Sequence, residues 1–108
     1  MSEKPVQPDL SGIADLDRMV HEPARLAVLS LLFVIESADF TFLMNQTGLT
    51  WGNLSAHLGK LEEAGYIASE KSFKGKRPNT SLHLTSEGRK AFREYARKMK
   101  SLFQGLPD

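Results

Sequence analysis

The stretch LTWGNLSAHLGKLEEAGYI, Leu49 to Ile67, followed by KSFKGKRPNTSLHLTSEGRKAF, Lys71 to Phe92, decides the fold. Thr50 can cap a helix from Trp51 to about Ala64, and Gly65 marks its stop. Leu54, Leu58 and Leu61 stand at i, i+4 and i+7, so they share the face pressed into a core. The opposite face is Gly52, Asn53, Ala56, Gly59, Lys60 and Glu63, with Ser55 and His57 at its edges. Large apolar side chains are missing there. A solvated face usually carries Glu, Lys and Gln; this one is slim and able to hydrogen-bond, as a helix entering a major groove must be. Gly52 and Gly59 each cost about 1 kcal/mol relative to alanine inside a helix. Close approach to a phosphate or to another helix would offset that cost.

Toward the N-terminus, Thr41 can cap a short helix Phe42 to Thr47, which Gly48 stops in the left-handed conformation that only glycine adopts cheaply. Two helices joined by a short glycine-containing turn make a helix-turn-helix. Before them, Pro23 suits the first turn of a helix, and Ala24 to Ile35 is apolar at almost every position, which predicts burial on most sides. Glu36 to Asp39 breaks it. Ile13, Leu16 and Val20 recur at helical spacing and predict a short first helix ending near His21, so the Thr50-capped helix counts as the fourth. Residues 1–9 read as a flexible tail.

Beyond Gly65 the period changes. Ile67, with Tyr66 before it, starts a strand with Ser69 and Lys71 alternating outward, and Thr80 to Thr85 sets Leu82 and Leu84 against Ser81 and His83. Between them, Phe73 to Asn79 is a hairpin tip rich in turn formers and in base: Lys74, Lys76 and Arg77 around Gly75. Thr85 caps a last helix from Ser86 to about Gln104, with Ala91, Phe92, Tyr95, Met99 and Leu102 as its apolar stripe. The expected class is mainly α with a small β-hairpin wing (α+β), a winged helix-turn-helix over residues 10–104.

A net charge of +1 conceals a strong division. Residues 71–100 hold ten of the fourteen basic side chains and only Glu87 and Glu94 as acids, a local net of +8, while the rest of the chain sums to −7. Such a split is the footprint of a polyanion-binding surface, although a well-solvated lysine-rich helix gives the same count. A basic hairpin tip is common by itself; directly after a helix-turn-helix it can lie along phosphates or enter a minor groove.

The motifs GNLSxHLxxLEEAGY and FKGKRPxT…LTxxGRxAF resemble the winged-helix transcription regulators related to the MarR and ArsR types, over roughly residues 13–104. The resemblance implies a homodimer on double-stranded operator DNA, with the recognition helix at about 50–64 and the wing at about 73–80. Carried over by position, it assigns Thr50, Asn53, Ser55, Ala56, His57 and Lys60 to DNA contact on the helix. Lys74, Lys76 and Arg77 fall on the wing. Trp51 departs from the family pattern, which has a smaller or acidic residue there. For assembly, Ile13, Leu16 and Val20 on the first helix and Phe92, Tyr95, Met99, Leu102 and Phe103 on the last are expected to form a self-complementary dimer patch.

Other function classes find little support. His21, His57 and His83 lie on separate elements with no acid or nucleophile at a suggestive spacing, so no enzyme is expected. Without cysteine or a His/Asp pair at ligand spacing, neither a metal site nor a cofactor is called for, and residue types name no small-molecule effector. Zero cysteines fit a cytoplasmic protein. Met1 to Gly12 is polar and contains Pro5 and Pro8, so no secretory signal is expected there, and the apolar run Leu26 to Ile35 is too short to span a membrane. The rival reading is a winged helix used only for protein–protein interaction, against which the charge split argues.

Overall fold

Every α-helix among the described residues begins at a side chain that accepts a backbone N–H. In the computed structural model, which describes residues 10–107, helix α1 (Pro23–Val34) opens with the Glu22 carboxylate accepting from the Arg25 N–H at 2.8 Å, with Pro23 in the first turn. Helix α2 (Phe40–Thr47) opens on Asp39, which accepts from the Phe42 N–H at 2.8 Å. The cap therefore lies two residues before Thr41, the expected one. Asp39 is extended and its carboxylate already serves the first turn, leaving Thr41 exposed inside the helix. Thr50 caps α3 (Trp51–Glu63) through the Asn53 N–H at 3.2 Å, and Thr85 caps α4 (Ser86–Gln104) through the Gly88 N–H at 3.0 Å. Gly48, at φ 73°, ends α2 as its sequence position requires. The expected tail, 1–9, lies outside the described residues.

The first expected helix does not form. Ser11–Asp15 makes one 3-10 turn, after which Leu16 is extended. Asp17 then turns the chain: its carboxylate accepts from the Met19 N–H at 2.9 Å, and its carbonyl from those of Val20 and His21. A side chain that captures nearby backbone groups in this way competes with helix. Leu16 and Val20 are two separate anchors into the core, at 4% and 0% exposure.

Three antiparallel strands follow the order β1 (Ala38–Asp39), β3 (Arg77–Leu84), β2 (Ile67–Lys74). The two-residue β1, read from sequence only as a break, pairs Ala38 with Leu82 and Asp39 with Ser81. The β2–β3 ladder runs unbroken from Ile67–Leu84 to Lys74–Arg77, so the turn is only Gly75-Lys76. Gly75 has φ 63° while Lys76 has no positive φ, which makes this a type II′ hairpin. Since side chains alternate along a strand, Ser69 and Lys71 share the face of Ile67 and do not oppose it. They are exposed because the hairpin leaves the body after Ala68.

Val20, Val28, Leu29, Leu32, Leu43, Leu54 and Leu61 are completely buried, with Ile67, Leu82, Leu84 and Tyr95 closing the core. Helix α4 is fastened to the end of α3 by backbone contact. The Thr85 hydroxyl donates to the Gly65 carbonyl at 2.6 Å, and the Thr85 N–H to that of Tyr66 at 3.1 Å. A Cβ on Gly88 would stand 2.0 Å from the Tyr66 oxygen, so only glycine permits this approach.

Candidate nucleic-acid interface

The buried Leu54, Leu58 and Leu61 fix which side of α3 faces out. Thr50, Gly52, Asn53, Ala56, Gly59 and Lys60 are exposed along it, and Ser55 and His57 are half-buried at its margins. The two glycines have ordinary helical φ, and a Cβ built on either would meet nothing within 4 Å. Neither close packing nor backbone geometry within the chain requires them.

His57 leans away from the outer face. Its Nδ1 lies 3.3 Å from the Arg25 guanidinium and 3.6 Å from the Glu22 carboxylate, at the start of α1. Arg25 also donates to the Met19 carbonyl at 2.7 Å and the Arg18 carbonyl at 3.3 Å, so the node ties α3 to the turn before α1. Partial burial pushes the Glu22 carboxyl upward, but the backbone N–H groups of Arg25 and Ala24 and the charges of His57 and Arg25 outweigh it. The result is a pKa below its ordinary value. Nothing in the sequence spacing of these three residues points to their meeting.

On the wing, Lys76 and Arg77 are exposed, whereas Lys74 donates to the Asp39 carboxylate at 3.1 Å. That carboxylate is held below its usual range first by the Phe42 N–H and then by Lys74. Asp39 thus caps α2 and tethers the hairpin at once. The basic residues of α4 are also partly committed. Arg89 and Arg93 lie 5.0 and 5.7 Å over the Phe33 ring, and Arg97 pairs with Glu94 at 3.4 Å. Of the basic side chains on α3 and the hairpin, Lys60, Lys71, Lys76 and Arg77 are exposed and make none of these ion pairs.

Trp51, noted in the sequence only as a departure, is 65% exposed at the first position of α3. Its ring rests against Phe40 of α2, centroids 5.6 Å apart and planes at 42°.

The expected dimer patch divides. Leu16, Val20 and Tyr95 are buried against the protomer's own core. Tyr95 is occupied by the N-terminal segment, its hydroxyl 2.7 Å from His21 Nδ1, and the Tyr66 hydroxyl donates to Asp17 nearby. Ile13 and Phe103 are exposed, while Phe92, Met99 and Leu102 are half-buried.

A model of the winged helix DNA-binding domain matches residues 24–103. An uncharacterized protein of Methanocaldococcus jannaschii is 34% identical over 89 residues, covering 82% of this chain and 97% of the relative. Among solved structures, a transcriptional regulator homologue from Pyrococcus horikoshii OT3 is similar at a TM-score of 0.85 and 24% identity, over 92% of this chain and 100% of that one. A MarR-family transcriptional regulator from Enterococcus faecalis V583 is similar at a TM-score of 0.71 and 20% identity, over 92% of this chain and 89% of that one. The fold is thus the one that MarR-type regulators use, and the chain belongs to the winged-helix DNA-binding domain family.

Proposed function

We propose that this protein is a sequence-specific transcription regulator that binds operator DNA as a homodimer, with α3 in the major groove and the β2–β3 hairpin against the backbone. One observation carries the reading: the outer face of α3 holds Gly52, Ala56 and Gly59 among Asn53 and Lys60, and among the described residues nothing packs within 4 Å of where a Cβ on either glycine would stand. A cost of about 1 kcal/mol per helical glycine calls for a partner outside the chain, and the exposed Lys60, Lys76 and Arg77 make that partner a polyanion. Asn53 and Ser55 are the base readers, Lys60, Lys76 and Arg77 the phosphate contacts, and His57 a residue that sets the pose of the helix.

The dimer forms through Ile13, Phe92, Met99, Leu102 and Phe103, the part of the expected patch that remains accessible. Two-fold symmetry would then set two recognition helices about 34 Å apart on a pseudo-palindromic site. Acting on operator DNA, the protein would work in the cytoplasm. Selection of duplexes from a random pool by the purified protein tests the whole reading. Recovery of a pseudo-palindrome is the expected result. Recovery of no preferred duplex, with no salt-dependent binding to random DNA, would leave the domain a protein-interaction module.

A further inference from the structure

Trp51 has no role in the core, yet it is the chain's single tryptophan and stands at the start of the helix just assigned to DNA. Tryptophan is among the more buried residues on average. Here it exposes 65% of its surface, with Gly52 after it supplying no side chain to shield the ring. Two contacts hold it in place. The Thr50 hydroxyl fixes the first turn through the Asn53 N–H at 3.2 Å, and Phe40 supports the indole at 5.6 Å between centroids. The exposed ring is therefore braced by Phe40 at the N-terminal end of α3.

The first turn of a recognition helix is the part that meets base edges. Those edges offer hydrogen-bond donors and acceptors and a single apolar group, the C5-methyl of thymine. An indole has one N–H donor and a large apolar body, which makes it a poor phosphate ligand and a good partner for a methyl group. Exposed Lys60, Lys76 and Arg77 supply the charge that holds a duplex near it. We propose that Trp51 is a specificity-determining DNA contact that reads thymine methyl groups in the major groove, an inference that rests on the DNA reading above.

A single tryptophan makes the test direct. The full chain is titrated with the duplex it selects and with the same duplex carrying deoxyuridine for thymidine, which removes the methyl and leaves pairing intact. Tryptophan emission and the anisotropy of labelled DNA are followed together. The emission of the wild type should change on binding, and each contacted methyl removed should weaken binding about fourfold, the size expected for burying one such group. Trp51→Ala should bind more weakly and lose its sensitivity to deoxyuridine, while Trp51→Phe should keep part of it; circular dichroism melts confirm that both variants fold. Unchanged emission at saturating duplex would overturn the assignment and leave the DNA reading intact. So would a Trp51→Ala protein as sensitive to deoxyuridine as wild type, or tighter binding of a single strand with the same emission change. Absence of any duplex binding would sink both.

Discussion

Replacing Gly59 by alanine should make the protein more stable and a worse DNA binder. Gly59 lies inside the 13-residue helix α3, away from both ends, with a φ that alanine accepts. The added Cβ meets nothing within 4 Å, so no strain or clash opposes the change within the chain. Helix propensity alone then favours alanine by about 0.8–1.0 kcal/mol. For a domain of this size that raises the melting midpoint by about 4 °C. On DNA the sign reverses. A methyl forced into a close-packed contact costs about 1–3 kcal/mol, or about 5- to 150-fold in affinity. Thermal melts followed by circular dichroism give the first quantity, and anisotropy titration of the selected duplex gives the second. Gly52→Ala should behave alike on DNA, with a smaller gain in stability because it lies in the first turn. A Gly59→Ala protein that is more stable and binds its duplex with full affinity would refute the claim that the glycine is kept for close approach. Loss of stability would refute the claim that the space is open.

Other perturbations separate the remaining contacts. Lys76→Ala with Arg77→Ala should weaken all duplexes alike and flatten the slope of log affinity against log salt by about two, one unit per phosphate contact; an unchanged slope would remove the wing from the interface. Acid should destabilise the fold through Glu22 and Asp39. Both carboxyls titrate below their ordinary values, so their contribution is present above the unfolded range of about 4 and is lost as pH falls through the lower folded values. Melts from pH 7 to pH 3 should show this loss, and Glu22→Gln or Asp39→Asn should blunt it. Tyr66 works at the other end: burial and then its bond to Asp17 push its hydroxyl up to about 12, so stability held below the ordinary tyrosine value of about 10 drains away as pH rises toward 12. Burial raises Tyr95 as well, so spectrophotometric titration should find both tyrosines ionising above the ordinary value, and Tyr66→Phe should remove the later one. Charged residues at Met99 and Leu102 should yield a folded monomer with much weaker operator binding, whereas a wild type that sediments as a monomer at micromolar concentration would end the dimer proposal.

Helix α3 was legible because its information is local. Thr50, the Leu54–Leu58–Leu61 spacing and Gly65 lie within one helix, and each specifies a cap, a face or a stop without reference to the rest of the chain. The same holds for Gly48 and for Thr85. Asp17 shows where locality fails: Ile13, Leu16 and Val20 carry helical spacing, but a carboxylate that captures the Met19 N–H turns the chain instead. Strand β1 could not be read at all. Two residues have no period, and Ala38–Asp39 is a strand only because β3 presents an edge at Leu82 and Ser81. Charge counting overestimated the free positive surface for a related reason. It could not see Arg89 and Arg93 over Phe33, nor Lys74 on Asp39, since those partners are 35 or more residues away.

Those distant pairings divide the labour between rigidity and adjustment. The pose of α3 and of α4 against it rests on completely buried leucines and on the Gly88–Tyr66 approach, where a single added carbon would collide with backbone. Such packing is stiff, and its loss would cost several kcal/mol, as large-to-small changes in a core do: about 2–5 kcal/mol for a buried leucine. The wing is held differently. Lys74 keeps 69% of its side-chain surface in water, and an exposed pair of this kind contributes about 0–1 kcal/mol. Thermal motion can open it, and an arriving phosphate can compete for the same ammonium. Helix α3 is thus preset by the core, while the hairpin is held by a contact weak enough to open. Asp39→Asn separates the two. It preserves a side-chain oxygen for the Phe42 N–H but frees Lys74, so the fold should survive and every duplex should bind more tightly with the salt slope unchanged, because the ion pair no longer has to open. Unaltered affinity would mean that Lys74 never reaches a phosphate and that Asp39 merely positions the hairpin.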